Sequence, residues 1–505
     1  MKKNLVSIFV CILFIAVPIL SATNINYEFQ QNIDRSYGTT VWVEQSKLLA
    51  SDGDSYDNFG VSVSIDGDYA IIGAYQDEGN RVSGSAYVFK RNNTSWEEEA
   101  KLTASSGTQF GISVSISGDC AIVGTWGDNV AYIFKRDGTN WTQQAKLTGL
   151  DGNFGRSVSI DGDYTIVGSH GEDNYTGAAY IFKRDGTNWT QQARLTASDG
   201  TEIDVFGISV SVDGDYAIIG AYKAGTAYIF KRDGTNWTQQ AKLTGIENSF
   251  GLCVSIDGDR ALVGEDIGND GKGAAYIFKR IGTNWIEDAK LVASDAEKSS
   301  LFGGSVSIDG EYVIVGADCD GSTGAAYTFK YNGTNWIEEA KLLASDGEDD
   351  VFGTSVSIDG ENAIIGAYYD NDNGKESGSA YIFKKDQLPN TPAITGPTSG
   401  KVGIEYEYNF SLSDPDNDLM YLRVNWGNGT PIPWQGPYDS DTTVQLSHAW
   451  NQHGNFTIRV QAKDVYDVES NWSEHEVTIP RTRASSYHWL WERFPLLERL
   501  LNLIR

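Results

Sequence analysis

Cysteine, methionine, proline and positive charge are all scarce in this sequence. In 505 residues there are 4 cysteines, 2 methionines and 10 prolines, and 39 Lys and Arg stand against 68 Asp and Glu. The formal charge of -29 leaves no positive footprint for phosphate, which excludes a nucleic-acid partner. It suits cations, basic partners or plain solubility. The few cysteines build no disulfide framework: with Cys11 in the N-terminal segment set aside, Cys120, Cys253 and Cys319 are odd in number and lack metal-ligand or CxxC spacing. They read as small packing residues. Catalytic side chains are thin on the ground as well. Between residues 38 and 387 there is one histidine, His170, with no serine elbow, no HExxH and no cysteine beside a histidine.

Long apolar runs are limited to the start. Lys2 and Lys3 precede a run from Leu5 to Leu20, followed by Ser21 and Ala22. The run is shorter than the ~20 residues of a membrane helix, so residues 1–22 read as a secretory signal and the mature chain as secreted or held at the cell surface. An uncleaved anchor is the alternative, because Leu20 is a poor residue two before a cut after Ala22.

What is abundant is glycine and aromatic residues, with 55 Gly, 26 Tyr and 14 Trp, in runs of alternating apolar and small polar residues. That composition favours strands and tight turns, and the length demands either several domains or a repeat. A unit of 44 to 52 residues opens on Phe-Gly seven times, at Phe59, Phe110, Phe154, Phe206, Phe250, Phe302 and Phe352. Within the first unit, FGVSVSIDGDYAIIGAY runs through SGSAYVFKR to SWEEEAKL, four short alternating strands separated by Asp-Gly, Gly-rich and Asn-rich turns. Such a four-stranded antiparallel sheet has two apolar faces, so units must stack, and seven stacked radially make a β-propeller. Burying each repeat Phe is worth ~2 kcal/mol.

The chain start decides how the ring closes. VWVEQSKLLASDG, before the first Phe-Gly, copies the last strand of the other units, as in NWTQQARLTASDG. Trp42, Trp96, Trp141, Trp189, Trp237, Trp285 and Trp336 each stand five residues before a Lys or Arg that precedes Leu, yet the seventh unit stops near Lys385 without such a strand. The N-terminal strand therefore fills the gap, and closure removes exposed sheet edges. The expectation is an all-β chain whose residues 38–387 form a seven-bladed propeller.

The succession FG, then IIGA or IVGA, then GAAYIF resembles the FG-GAP repeat, the integrin-α-type propeller unit, and is especially similar to its prokaryotic and archaeal surface-protein variant. The resemblance covers roughly residues 38–387 and implies the fold together with an adhesive or ligand-binding tendency. Many units of that family carry a DxDxDGxxD calcium loop between their first two strands; this chain has IDGD turns there, as at Asp66, Gly67 and Asp68. These read as tight hairpins rather than metal sites.

After Lys385 the Pro-, Gly- and Thr-rich QLPNTPAITGPTSG is a linker. Alternating strands continue to Pro480, the right length for a small β-sandwich over 388–480. Trp426-Gly427-Asn428-Gly429, His448, Gly454 and Asp464 resemble the PKD and related Ig-like modules, although Asn425 and Asn428 stand where that family usually has Asp. Asp414, Asp416 and Asp418 have the spacing to hold a cation with carbonyl help or to form an Asx-rich turn in solvent. Residues 481–505 make an apolar, basic tail with Trp489 and Trp491 ahead of Leu497, Leu500, Leu501 and Ile504 at helical spacing. It reads as an interfacial helix or sorting contact at a membrane, or as a helix capping the sandwich.

Two faces of the propeller are treated differently. Turns between strands one and two, and three and four, are monotonous IDGD and KRDGTNW; the opposite loops vary, as in SDGDSYDN before Phe59, GEDDV before Phe352 and AYYDNDNGKESG after Gly366. Variation on one face is what a recognition surface shows. Two residues past the Gly of each second strand stand Tyr75, Trp126, His170, Tyr222, Asp266, Asp318 and Tyr368, which symmetry places in a ring around the axial channel. The ring is the expected contact for a cell-surface glycan or protein, against simple loop packing. Asp52, Asp54 and Asp57, with Asp370 and Asp372, are calcium candidates or solvated loops. No cofactor other than calcium is implied. The 11 N-x-S/T sequons after residue 22, among them Asn140, Asn188, Asn236, Asn332 and Asn471, admit glycosylation.

The expected function is an exported binding or adhesion protein. The alternatives are a structural envelope component without a specific ligand, and a propeller hydrolase or lyase working through paired carboxylates such as Asp266 and Asp318.

Overall fold

Each Phe-Gly unit forms one antiparallel sheet of four strands, as in Phe59–Asp66, Tyr69–Ala74, Ser85–Asn92 and Ser95–Leu102. The computed structural model describes residues 40–481 except 77–82, 93, 105–107, 151, 246–248, 322, 348–349 and 430–431. The expected export signal and all but the first residue of the C-terminal tail lie outside the described residues. Seven such sheets follow one another, and the seventh is completed by the N-terminal strand Thr40–Leu48, which pairs with Ser379–Gln387 so that Trp42 faces Lys385. The inference of ring closure from the surplus Trp strand is therefore met residue for residue.

Burial across a blade follows from stacking. The second strand, YAIIGA in the first unit, is buried at every position because a neighbouring sheet covers each face, whereas the outer strand NWTQQAKLT is mostly open to water. The repeat phenylalanines are 0 to 1% exposed. Each meets the Tyr and Phe of its third strand edge-on or tilted; Phe59 lies 5.4 Å from Tyr87 and 6.1 Å from Phe89 by ring centroids. Such contacts add to area burial by about 0.5–1.5 kcal/mol.

Sequence constants that looked like turn chemistry also join the blades. The Oγ of Ser64 accepts the amide of Ile116 in the next blade, and the same bond recurs around the ring from Ser115, Ser159, Ser211, Ser255, Ser307 and Ser357 at 3.1–3.2 Å. The first Asp of each IDGD turn accepts the next blade's turn Gly amide, as Asp161 does from Gly214 at 2.8 Å, with Ser117 substituting in the second blade. The second Asp pairs with an Arg of the third strand, as Asp68 does with Arg91. Both carboxylates thus have protein partners, and the turns are hairpins, with Asp66 opposite Tyr69. The outer strands form a belt in which Trp96 donates to Gln45 and Trp42 to Glu339. Cys253 occupies a serine slot, its Sγ donating to the Gly303 carbonyl at 3.0 Å, and the three described cysteines are free.

The propeller's last strand leads directly into a second body. Ala393–Thr395, Glu405–Ser411 and Thr443–Ala449 form one sheet; Gln435–Tyr438, Met420–Asn425, Gly454–Asp464 and Ser473–Ile479 form the other. Between them lie Tyr408, Phe410, Leu422, Trp426, Trp450, Ile458 and Val460. His448 stacks on Trp426 with ring centroids 4.7 Å apart. Because the chain leaves blade seven at the end of a third strand, this sandwich joins the face of the monotonous Asp-Gly turns. Gln45 Nε2 donates to the Tyr466 hydroxyl and the Gln387 amide to Asp416 across that junction. The variable-loop face lies at the other end of the blades.

Candidate ligand-binding face

The second strand of every blade ends as Gly-Ala or a close variant and stays buried to its last residue; the chain then emerges at the mouth of the axis. There stand Tyr75, Trp126, His170, Tyr222, Asp266, Asp318 and Tyr368, one per blade. Trp126 is exposed and the other six are half-buried.

Several of them are mutually within electrostatic reach. Tyr368 lies within the field of Tyr75 and Asp318, and Asp318 within that of Asp266. Asp266 and Asp318 are both pushed above the ordinary carboxylate range, chiefly by burial and, for Asp318, also by the charge of Asp266. Tyr222 completes the aromatic arc from the fourth blade, with Lys223 Nζ 4.7 Å from its ring centroid.

A residue that symmetry reasoning did not select sits in this mouth. The Arg156 guanidinium lies 5.5 Å from the Trp126 ring centroid and acts electrostatically on both Tyr75 and His170. The signal was present in the sequence: the residue after Phe-Gly is Val61, Ile112, Ile208, Leu252, Gly304 or Thr354 in the other units, and Arg only here. The mouth is consequently polarised, with an arginine among aromatics toward blades one to three and two carboxylates in blades five and six. Such an arrangement offers stacking surface and a planar donor on one side and acceptors on the other.

His170 is held neutral. Burial first, and the Arg156 charge second, lower its pKa to about 4, and its Nε2 is 3.5 Å from Asn153 Nδ2. Because the folded value is depressed, the unfolded chain takes up a proton near its ordinary pH 6.5 while the folded one resists until about 4. Stability is therefore expected to fall as pH drops through that window. In His170→Gln that loss is smaller, which denaturant midpoints at pH 7 and pH 5 measure.

The acidic loops on this face are wired to the protein's own cations. Asp52 pairs with Lys101 at 2.7 Å and accepts the Tyr87 hydroxyl, while Asp57 accepts the amide of Asp54 at 2.6 Å. These three do not converge on one point. Asp370 and Asp372 do converge, together with Asp346, but on Lys47 Nζ, which is 2.6–2.7 Å from all three. The ammonium of the closing strand occupies the position a cation would take. Asp414, Asp416 and Asp418 lie elsewhere, in the sandwich at its junction with the propeller, where Asp416 and Asp418 group with Asp386.

The FG-GAP repeat model matches residues 42–89, 96–134, 141–182, 189–230, 237–278, 285–329 and 336–383. No curated protein matches. Among solved structures, the PKD domain of an M14-like peptidase from a Thermoplasmatales archaeon is 41% identical over 19% of this chain and 99% of that one, with a TM-score of 0.19. A putative 6-phosphogluconolactonase from Bacteroides uniformis is 11% identical, covering 57% of this chain and 86% of its own, with a TM-score of 0.42. Dipeptidyl peptidase 4 of Porphyromonas gingivalis is 10% identical over 70% of this chain and 57% of its own, with a TM-score of 0.32.

Proposed function

The chain belongs to the FG-GAP repeat family, and from that premise we propose that it is an exported binding or adhesion protein that engages a cell-surface glycan or protein through its variable-loop face. The observation that carries this reading is the polarised mouth: Arg156 over Trp126 beside Tyr75 and His170, facing Asp266 and Asp318. Aromatic faces pack on sugar rings or apolar side chains, and an Arg among them fixes a carboxylate or a carbonyl. Placement supports the same reading, since the sandwich joins the opposite face and leaves this one clear. In this proposal the module is of the integrin-like, prokaryotic surface-protein type, exported by residues 1–22 and carried on a PKD-like stalk. The C-terminal tail supplies a membrane-interface or sorting contact.

An enzymatic reading has one observation in its favour, the raised pKa of the neighbouring pair Asp266 and Asp318, which suits an acid among carboxylates. Turnover on a polysaccharide or ester panel that is lost in Asp318→Asn would establish it. The binding reading is tested by presenting the mature protein to arrays of glycans and cell-surface proteins. Saturable binding to at least one class is expected. Absence of any saturable partner, with the protein found as a regular lattice, would instead make it an envelope component.

A further inference from the structure

Five aspartates meet where the last propeller strand enters the sandwich. Asp386 and Asp464 are 0% exposed, Asp414 and Asp418 are 7% and 9% exposed, and Asp416 is half-buried. Two of them, Asp414 and Asp464, spend one oxygen on ordering their own loop, and Asp416 spends both on Gln387. Asp464 Oδ1 accepts the amides of Tyr466 and Val468 at 2.7 and 3.0 Å. Asp414 Oδ1 accepts those of Asp416 and Asp418 at 2.8 and 3.3 Å, and Asp416 accepts the Gln387 backbone amide and side-chain amide at 2.6 and 3.1 Å.

The remaining oxygens are left to one another, as between Asp386 and Asp464, and to one distant lysine. Asp464 Oδ2, Asp414 Oδ2, Asp418 Oδ2 and both carboxylate oxygens of Asp386 are buried without a hydrogen-bond partner. Lys384 Nζ makes only long ion pairs, 3.5 Å from Asp386 and 3.6 Å from Asp418, so a single ammonium is shared between two of the five carboxyl groups. Burying carboxylates without close partners is costly, so a native fold rarely leaves them so. The same chain shows the alternative: around Asp346, Asp370 and Asp372 a lysine reaches 2.6–2.7 Å from every carboxylate. At the junction the lysine stays back.

We propose that Asp386, Asp416 and Asp418, backed by Asp414 and Asp464, form a calcium site that locks the sandwich to the propeller. One oxygen from each of the first three lies within 4.8 Å of the others. Oxygens bound to one calcium at about 2.4 Å lie at most about 4.8 Å apart, and the ion accepts six to eight of them, so orphaned oxygens and backbone carbonyls fill the shell. The ligands come from both bodies, Asp386 from blade seven and the rest from the sandwich. Bound metal therefore links the two, irrespective of what the opposite face recognises.

The test uses the whole mature protein, stripped with EDTA and titrated with calcium chloride by calorimetry and by thermal melting. One calcium per chain is expected, with a dissociation constant of roughly 1 mM or tighter, and a melting temperature that rises with the metal. Asp386→Asn and Asp418→Asn each remove a like charge from the metal-free cluster. Both are expected to melt at or above the stripped wild type while losing the calcium-dependent rise. If the wild type shows neither heat nor shift, as when a proton shared by Asp386 and Asp464 holds the cluster, the site does not exist. Calcium binding retained at wild-type affinity in both variants would overturn it equally.

Discussion

Deleting residues 40–48 is expected to unfold the propeller or leave it aggregating, although those residues precede the first Phe-Gly unit. They are the fourth strand of blade seven, paired along Ser379–Gln387. Their loss opens the ring and exposes a full sheet edge. It also withdraws Trp42, 7% exposed, from the seam between blades six and seven, and Leu48, 3% exposed, from that between blades seven and one. Lys47 leaves three carboxylates behind, Gln45 leaves the Trp96 indole and the Tyr466 hydroxyl, and Glu44 leaves Ser345. Burial of the two apolar side chains alone is worth about 4 kcal/mol, a large share of a typical total stability of about 5–15 kcal/mol. A peptide of sequence 40–48 added in trans should restore the melting transition, at least in part. If the truncated chain melts within a few degrees of wild type, closure contributes little.

The second large effect is expected from a single methyl group. The Gly of each second strand lies against the Gly of the next unit's Phe-Gly, so closely that a Cβ at Gly220 would stand 2.1 Å from the Gly251 carbonyl oxygen, and one at Gly73 1.9 Å from that of Gly111. Backbone, which cannot swing aside, is what the methyl meets. Gly220 has no positive φ to complicate the comparison. Gly220→Ala is expected to cost about 3 kcal/mol or more by overpacking, seen as a fall in denaturant midpoint with an unchanged slope. Alanine tolerated within about 0.5 kcal/mol would mean that the blades are further apart than described.

These positions also show why so much of the fold was legible. Phe-Gly and Ile-Gly-Ala recur because two glycine backbones must touch at every seam, and a sevenfold repeat prints that constraint seven times. The surplus Trp strand made closure a matter of counting. The candidate ligand face was legible only in part. Symmetry located the ring, because equivalent residues occupy equivalent places, but it passed over Arg156, whose significance lies in departing from the repeat. The acidic loops left calcium and solvent both open, and sequence could not show a third partner: Lys47, about 300 residues from Asp346 in the chain, reaches the point where Asp346, Asp370 and Asp372 converge. The junction shows the reverse. Asp414, Asp416 and Asp418 announce themselves by spacing, whereas Asp386 lies inside an unremarkable strand end, and only the docking of the sandwich brings it to Asp464.

The central claim is that ligand is held at the polarised mouth and not elsewhere on the surface. The most direct measurement is a binding titration of the preferred array ligand against wild type, Arg156→Ala, Trp126→Ala and Asp137→Ala. Asp137 is exposed at a strand end beside a turn of the opposite face. The account predicts a loss of about tenfold or more in affinity for each of the first two, equivalent to about 1.4 kcal/mol, and no change for Asp137→Ala. Equal affinity in all four proteins would contradict it.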